Sequence, residues 1–170
     1  MDFSELVSAR YSVRAYRPDP VEDKKLDRVL EAARLAPTAC NKQPMRFVVV
    51  HTSGKEQELG RIFKAKWFTQ APIVICVCTI ASEAWVRSYD AKNHGIVDAA
   101  IAMDHLILEA ANQGLGTCWI CAFDPIAARE VLGLPEGVEP IAFTPLGYPA
   151  DAPMEKIRKP IGDLVRYEKW

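Results

Sequence analysis

Hydrophobic positions in this chain follow three patterns, and each predicts a different kind of element. Where they recur three and four residues apart, they predict amphipathic helices. Leu26, Val29, Leu30 and Ala33 mark such a helix over residues 21–35, stopped by Pro37. Phe3, Leu6 and Val7 mark a shorter one at the start, capped by Asp2 or Ser4. Continuous apolar runs predict strands: residues 72–79 are rich in β-branched side chains and have the length of a buried strand. Residues 45–51 form a second run, bounded by Gln43-Pro44 and Ser53-Gly54. The third pattern covers residues 96–112, where Ile96, Val97, Ile101, Leu106, Ile107 and Leu108 wrap most of the circumference. That predicts a central helix buried on several sides and stopped by Gly114. A helix over 55–63, a strand over 115–121, a helix over 125–132 capped by Asp124, and a strand over 140–146 complete the predicted core.

Beyond residue 146 the pattern weakens. Pro149, Pro153 and Pro160 interrupt the segment, and only residues 161–165 offer an apolar cluster. Leu164, Val165, Tyr167 and Trp170 are nevertheless too apolar for a purely solvated tail, so residues 147–170 are expected to pack on a partner subunit. No repeat or Gly/Ser linker divides the chain, and residues 1–170 read as a single domain. Its length is enough to bury about 70% of the unfolded surface.

Charge and cysteine usage narrow the class. The formal net charge of −1 argues against nucleic acid as an electrostatically held partner. The longest apolar stretch, residues 71–81, is broken by Pro72 and Thr79 and is too short to span a bilayer, so no membrane partner is expected. The first residues lack a basic and apolar leader, and the five cysteines are an odd number, which together predict a reduced, cytoplasmic protein.

The chemistry concentrates in a few places. Arg10, Ser12 and Arg14 alternate, so in an extended chain all three side chains project to one face. Two guanidinium forks and a hydroxyl make a donor-only cradle suited to a phosphate monoester, although the same pattern also fits a solvated charged turn. Lys156, Arg158 and Lys159 are placed to close the cradle from the other terminus. Cys76 and Cys78 lie inside an apolar strand and read as small core residues. Cys118 and Cys121 form a CxxC on a predicted strand, without the helix N-terminus that would activate a thiol. No zinc set is expected. His51, His94 and His105 show no triad or metal spacing, Ser12 has no neighbouring base, and there is no glycine-rich nucleotide loop. An anion cradle without a side-chain catalyst predicts a phosphorylated cofactor that carries the chemistry. The loop over residues 36–44, small and amide-bearing between two prolines, suits the approach of a flat ring, although it also reads as a plain helix-to-strand connection.

These pieces have a family order. Residues 10–14 (RYSVR), 36–44 (APTACNKQP), 98–102 (DAAIA), 114–120 (GLGTCWI), 146–149 (LGYP) and 156–160 (KIRKP) occur in sequence. In them the chain resembles the FMN-dependent nitroreductase family over nearly its full length. The resemblance implies an α+β fold, with a central mixed or antiparallel sheet flanked by helices, assembled as an intertwined homodimer. It implies two FMN sites at the subunit interface and a C-terminal tail that wraps the neighbouring subunit. By the same resemblance Arg10, Ser12, Lys156 and Arg158 hold the FMN phosphate and ribityl chain, and Tyr11 belongs to the same binding segment. Arg14 lies nearer the ribityl and pyrimidine end. Pro37, Thr38, Ala39 and Asn41 come from the other subunit, and the backbone at Ile120 and Cys121 faces the ring. Lys66 is a further candidate for the pyrimidine edge.

Two departures stand out. Cys121 replaces a frequent Gly, and Cys40 a frequent Ser, Thr or Trp, which brings either thiol towards the flavin. Residues 81–95 are short where some relatives carry a substrate-covering insertion, and an open pocket is expected. The implied activity is an NAD(P)H-dependent FMN oxidoreductase. Hydride passes from NADH or NADPH through flavin N5 to a small-molecule acceptor such as a nitroaromatic or a quinone, with no catalytic side chain. The alternatives are a non-catalytic flavin carrier, or a specialised relative such as a reductive dehalogenase or an oxygen-using flavin-fragmenting enzyme.

Overall fold

The strand β2, Ile73–Ile80, is buried along nearly its whole length, and its two faces explain the layers around it. The structure is a computed structural model that describes Met1–Trp170. Alternate side chains of β2 point to opposite faces. Ile73, Ile75 and Val77 pack in one core cluster with Ala99, Met103, Leu106 and Ala110 of α5 (Gly95–Asn112) and with Val29 and Ala33 of α2 (Asp23–Arg34). Val74, Cys76 and Cys78 pack in the other. Their neighbours are Leu59 and Ile62 of α3 (Glu56–Ile62), Phe68 of α4 (Lys66–Gln70) and Ala127 and Ala128 of α6 (Pro125–Leu132). An apolar run with no alternation is what a strand covered on both faces requires.

The sheet order is β1-β2-β4-β3, with β1 at Met45–His51, β3 at Gly116–Thr117 and β4 at Val138–Gly147. All three pairings are antiparallel. This is the expected α+β architecture, and its named strands make an antiparallel sheet rather than a mixed one. A parallel bridge joins Ser12 to Thr117.

Most predicted elements stand within two residues of their expected ends, and some of those ends carry caps written in the sequence. Asp2 and Glu5 form a reciprocal capping box on α1 (Phe3–Ala9). Asp124 accepts from the N–H groups of Ile126 and Ala127 (2.9 and 3.0 Å), with Pro125 opening α6. Gly114, at φ 74°, ends α5 by donating to Ala111 O while Leu115 donates to Ala110 O.

Three expectations need correction. The strand expected over 115–121 is only two residues long. Pro145, which falls next in register opposite Cys118, has no N–H for the ladder, and Cys118 N–H donates instead to Thr144 Oγ1 (3.1 Å). Pairing resumes only at Ile120, which bridges Phe143. The helix α5 is not covered all round: Ile96 is 60% and Val97 48% exposed. Two short helices, α4 and α7 (Ile161–Leu164), had no visible period because each has at most five residues. Residues 81–95 fold back on themselves, with Val86 bridged to Asn93 and an Arg87–Asp90 ion pair. No helix is long and apolar enough to cross a membrane.

Gly116 fixes how closely the chain packs at the end of the sheet. A Cβ on Gly116 would lie 2.6 Å from Val13 Cγ2 and 3.0 Å from both other Val13 side-chain carbons it meets, so no rotamer of Val13 relieves the clash. Gly116→Ala should therefore destabilise the protein by about 1–3 kcal/mol, read from its urea midpoint. A shift below about 0.5 kcal/mol would show that residues near Val13 are not pressed against β3.

Candidate functional site

Residues 10–16 leave α1 as an extended arm, and the sheet end holds that arm from both sides. Val13 N–H donates to Thr117 O (2.9 Å), Ala150 N–H to Ala15 O (2.8 Å) and Arg17 N–H to Tyr148 O (2.9 Å). The arm's side chains divide between the core and a cleft. Val13 and Tyr16 turn inward and are buried, with Tyr16 Oη donating to Val13 O (2.9 Å). Arg10, Ser12 and Arg14 line a cleft of about 430 Å³ together with Tyr11, Lys156 and Arg158. Five of the six basic and hydroxyl residues expected to form the cradle thus meet in one place, joined by Tyr11, whereas Lys159 does not line the cleft.

The cleft is not donor-only. Asp151 and Glu155 also line it. Asp151 acts as the clamp of the arm: its Oδ2 accepts from Arg14 N–H (2.7 Å), its Oδ1 from Tyr11 Oη (3.2 Å), and its carbonyl from the same hydroxyl (2.9 Å). Both carboxylate oxygens are therefore engaged in holding backbone and phenol, which leaves the guanidinium groups of Arg10 and Arg14 free for the cleft. The acid sits in an unpatterned segment after β4, and nothing in its spacing announces it. Lys156 donates from Nζ to Val7 O (3.0 Å) and to Ser8 O, so it also satisfies the open carbonyls at the end of α1. Burial, with Arg10 and Arg158 close by, lowers its pKa from the ordinary lysine value.

Under the arm lies Cys118, buried at the root of the CxxC. Burial raises its thiol pKa against the opposing pull of Arg14, Ser12 and Arg10, so the thiol stays protonated. Cys76 and Cys78 are both fully buried with sulfurs 3.5 Å apart, and behave as core side chains. Cys40 and Cys121 are exposed, and the Cys121 sulfur accepts from Trp119 Nε1–H (3.1 Å).

The remaining expected residues do not line this cleft. Ile120 and Cys121 lie on the run that leaves β3. Lys66 is exposed at the start of α4. Pro37, Thr38, Ala39 and Asn41 belong to a turn that precedes β1, and that turn is strained. Cys40, Asn41 and Gln43 all have positive φ (50°, 53° and 51°) without being glycine, at a cost of about 1–3 kcal/mol each. Its compensation is local: Asn41 N–H donates to Thr38 O, Lys42 N–H to Ala39 O, and Gln43 N–H to Thr38 Oγ1 (3.1 Å). Arg46 reaches Gln43 O (3.2 Å), and Ala39 N–H reaches Asp98 Oδ1 (3.0 Å) on α5. At a net of about 1 kcal/mol each, these bonds are of the same order as the strain. Asp98 did have a signal in the sequence, as an acid directly beside the apolar Ala99–Ala102 face.

The phenols tied to the arm set a pH dependence. Burial is the main cause that raises Tyr16 and Tyr11, and the charge of Asp151 adds to it in both. In the unfolded chain each ionises near 10.0, whereas the folded state keeps it protonated to higher pH. The stability they contribute is complete below pH 10 and is lost as the pH rises beyond it. The urea midpoint should fall above about pH 10, and Tyr16→Phe should flatten that fall. An equal slope in the variant would remove Tyr16 as its source.

Comparison with known proteins agrees with this geometry. The profile of the nitroreductase family matches residues 7–67 and 61–148. A nitroreductase family protein from Clostridium difficile 630, known from its crystal structure, is 38% identical, with all of both chains covered and a TM-score of 0.90. An NADH dehydrogenase from Thermus thermophilus is 28% identical over 97% of this chain and 95% of its own. An FMN reductase (NAD(P)H) from Bacillus subtilis is 29% identical over 88% of this chain and 66% of its own. The profile match over most of the chain and the fold shared with the Clostridium difficile protein show that this chain belongs to the nitroreductase family.

Proposed function

We propose that this protein is an FMN-dependent oxidoreductase that takes electrons from NADH or NADPH and reduces a flat, conjugated small molecule such as a nitroaromatic or a quinone. The observation that carries the reading is the cleft. Four cationic side chains, a serine hydroxyl and a tyrosine converge there, the chemistry that a phosphate monoester with a polyol chain demands. No general acid–base pair or activated nucleophile accompanies them, so the reaction is left to a bound group.

The residues fit FMN in defined roles. Arg10, Ser12, Lys156 and Arg158 hold its phosphate and ribityl chain, with Tyr11 kept in place by Asp151, and Arg14 extends towards the pyrimidine end. The turn carrying Pro37, Thr38, Ala39 and Asn41, with the backbone at Ile120 and Cys121, presents small groups to the ring. When bound, FMN supplies hydride transfer at N5, from the nicotinamide to the acceptor. The chain's own task is to bind the flavin, orient it and leave one face of the ring open to both reactants.

The site is shared between two copies of the chain on this reading. Support comes from surfaces that this chain leaves bare. Phe3 on α1 is 69% exposed and α1 buries no residue, while Met154, Ile157, Ile161, Leu164, Tyr167 and Trp170 are all exposed along the tail. Residues 147–156 brace this chain's own arm and α1, and the rest of the 147–170 tail, packed on a second copy, covers these surfaces and brings the 37–41 turn of one copy to the cleft of the other. Three buried and two exposed free cysteines suit a reducing compartment such as the cytoplasm.

An absorption spectrum followed by anaerobic addition of NADH and then NADPH tests the activity. Flavin bands that bleach establish it and identify the donor. Bands that persist with both nucleotides point to a flavin carrier, and failure to bind added FMN rejects the reading. Arg10→Ala should weaken FMN binding by about 1.5–3 kcal/mol, roughly 10- to 150-fold, with unchanged affinity removing Arg10 from the phosphate site. Truncation after Pro160, which leaves the cleft whole, should abolish the dimer and weaken flavin binding, and a truncated monomer with undiminished flavin affinity would exclude the shared site.

A further inference from the structure

Asp98 is the one carboxylate among the buried residues, at 2% exposure. It stands in the first turn of α5, where the helix dipole favours a negative charge. Its Oδ1 accepts from Ala39 N–H, yet its Oδ2 is buried with no partner. A half-satisfied carboxylate is a poor choice for stability alone, since an apolar side chain of the same size packs there at lower cost. What it does secure is the amide of Ala39, a loop donor that no backbone carbonyl accepts from.

Its platform is rigid. A Cβ on Gly95 would lie 2.5 Å from Thr79 Oγ1, so the start of α5 is seated directly on the end of β2. Gly95 N–H donates to Asn93 Oδ1 (2.9 Å), and Asn93 Nδ2 donates to Ala81 O (2.8 Å). One helical turn further on, Asp98 reaches across to the strained turn. Thr38 Oγ1 closes that turn from within and moves with it, and Arg46 belongs to the strand that follows directly. Among the side chains that hold the turn, Asp98 alone comes from another layer of the fold.

We propose that Asp98 is a positioning residue for the flavin site. By pinning Ala39 N–H it locks Cys40, Asn41 and Gln43 in the left-handed conformation that presents the backbone of the turn to the planar ring. The identity of the ring rests on the FMN reading above, whereas the lock itself does not. Cys40, Asn41 and Gln43 all have less strained conformations available at negative φ, and loss of the Ala39 anchor at the entry to the turn releases them towards those conformations. The turn would then need to be reordered by the ligand, and flavin affinity would fall without any lost contact to flavin.

Amide hydrogen exchange on the protein as purified, combined with FMN titration and visible circular dichroism of the bound flavin, tests this. In the wild type, the Ala39 amide should be protected like those of β2. In Asp98→Ala, amides at 39–43 should exchange at least about tenfold faster while β2 stays protected. The FMN dissociation constant should rise about tenfold, and the visible dichroism at saturation should change. Asp98→Asn, which keeps the Oδ1 acceptor, should restore all three. A wild-type Ala39 amide exchanging at the free rate overturns the proposal, even where Asp98→Ala does not fold. Faster exchange in Asp98→Ala with unchanged flavin affinity and dichroism overturns it too, by reducing Asp98 to a structural anchor. Failure of the wild type to bind FMN rejects the flavin reading, and the exchange contrast between Ala and Asn then separately supports the lock on the turn.

Discussion

The seating of Val13 against Gly116 is the contact on which the cleft depends. Arg10, Ser12 and Arg14 belong to no helix and to no named strand. They face one way only because the residue between Ser12 and Arg14 is buried and its N–H is held by Thr117. Full burial of a valine contributes about 1.5–3 kcal/mol, and each flanking backbone bond about 1 kcal/mol. That is a modest sum for holding like charges together. The clamp of Asp151 on Arg14 N–H and Tyr11 Oη adds a charge-assisted bond, the stronger kind, where it is most needed. Tyr16 ties the inward side of the same arm back to Val13 O.

A cleft arranged in this way has unfavourable electrostatics when it holds no anion. Arg10, Arg14, Lys156 and Arg158 line one space, and the charges of Arg10 and Arg158 add to burial in lowering the Lys156 pKa. Asp151 offsets part of this repulsion, but its oxygens are already committed to the arm. A phosphate dianion relieves what remains, so the same repulsion that weakens the arm makes the anion more welcome. The net charge of the whole chain is −1, so this attraction is local to the cleft and selects a small anion over a polyanion.

What the sequence disclosed follows from the range of each signal. Helices α2, α5 and α6 and strands β1, β2 and β4 were legible because their periods and caps lie within their own residues, as with Asp124 and Gly114. The arm was legible as an alternation of charge. The length of β3 was not, because Pro145, almost thirty residues away, decides where its ladder stops. Asp151 was hidden for the same reason: its meaning lies in Tyr11 and Arg14, far off in the chain. Ile96 and Val97 misled in the other direction. An apolar residue reports that something covers it, but not whether the cover belongs to the same chain.

That ambiguity bears on how the proposed site works. The cleft carries the cations, the 37–43 turn carries the small strained backbone, and this chain keeps them apart. If a flavin bridges the cleft of one copy and the turn of another, each binding event presupposes the other. Flavin then stabilises the dimer by as much as the dimer raises flavin affinity, by thermodynamic linkage. A turn preset by a third layer of the fold removes one ordering cost from that coupled equilibrium. The half-satisfied carboxylate of Asp98 is reasonable on these terms: a small loss within each folded chain keeps two separate surfaces ready for the same ring.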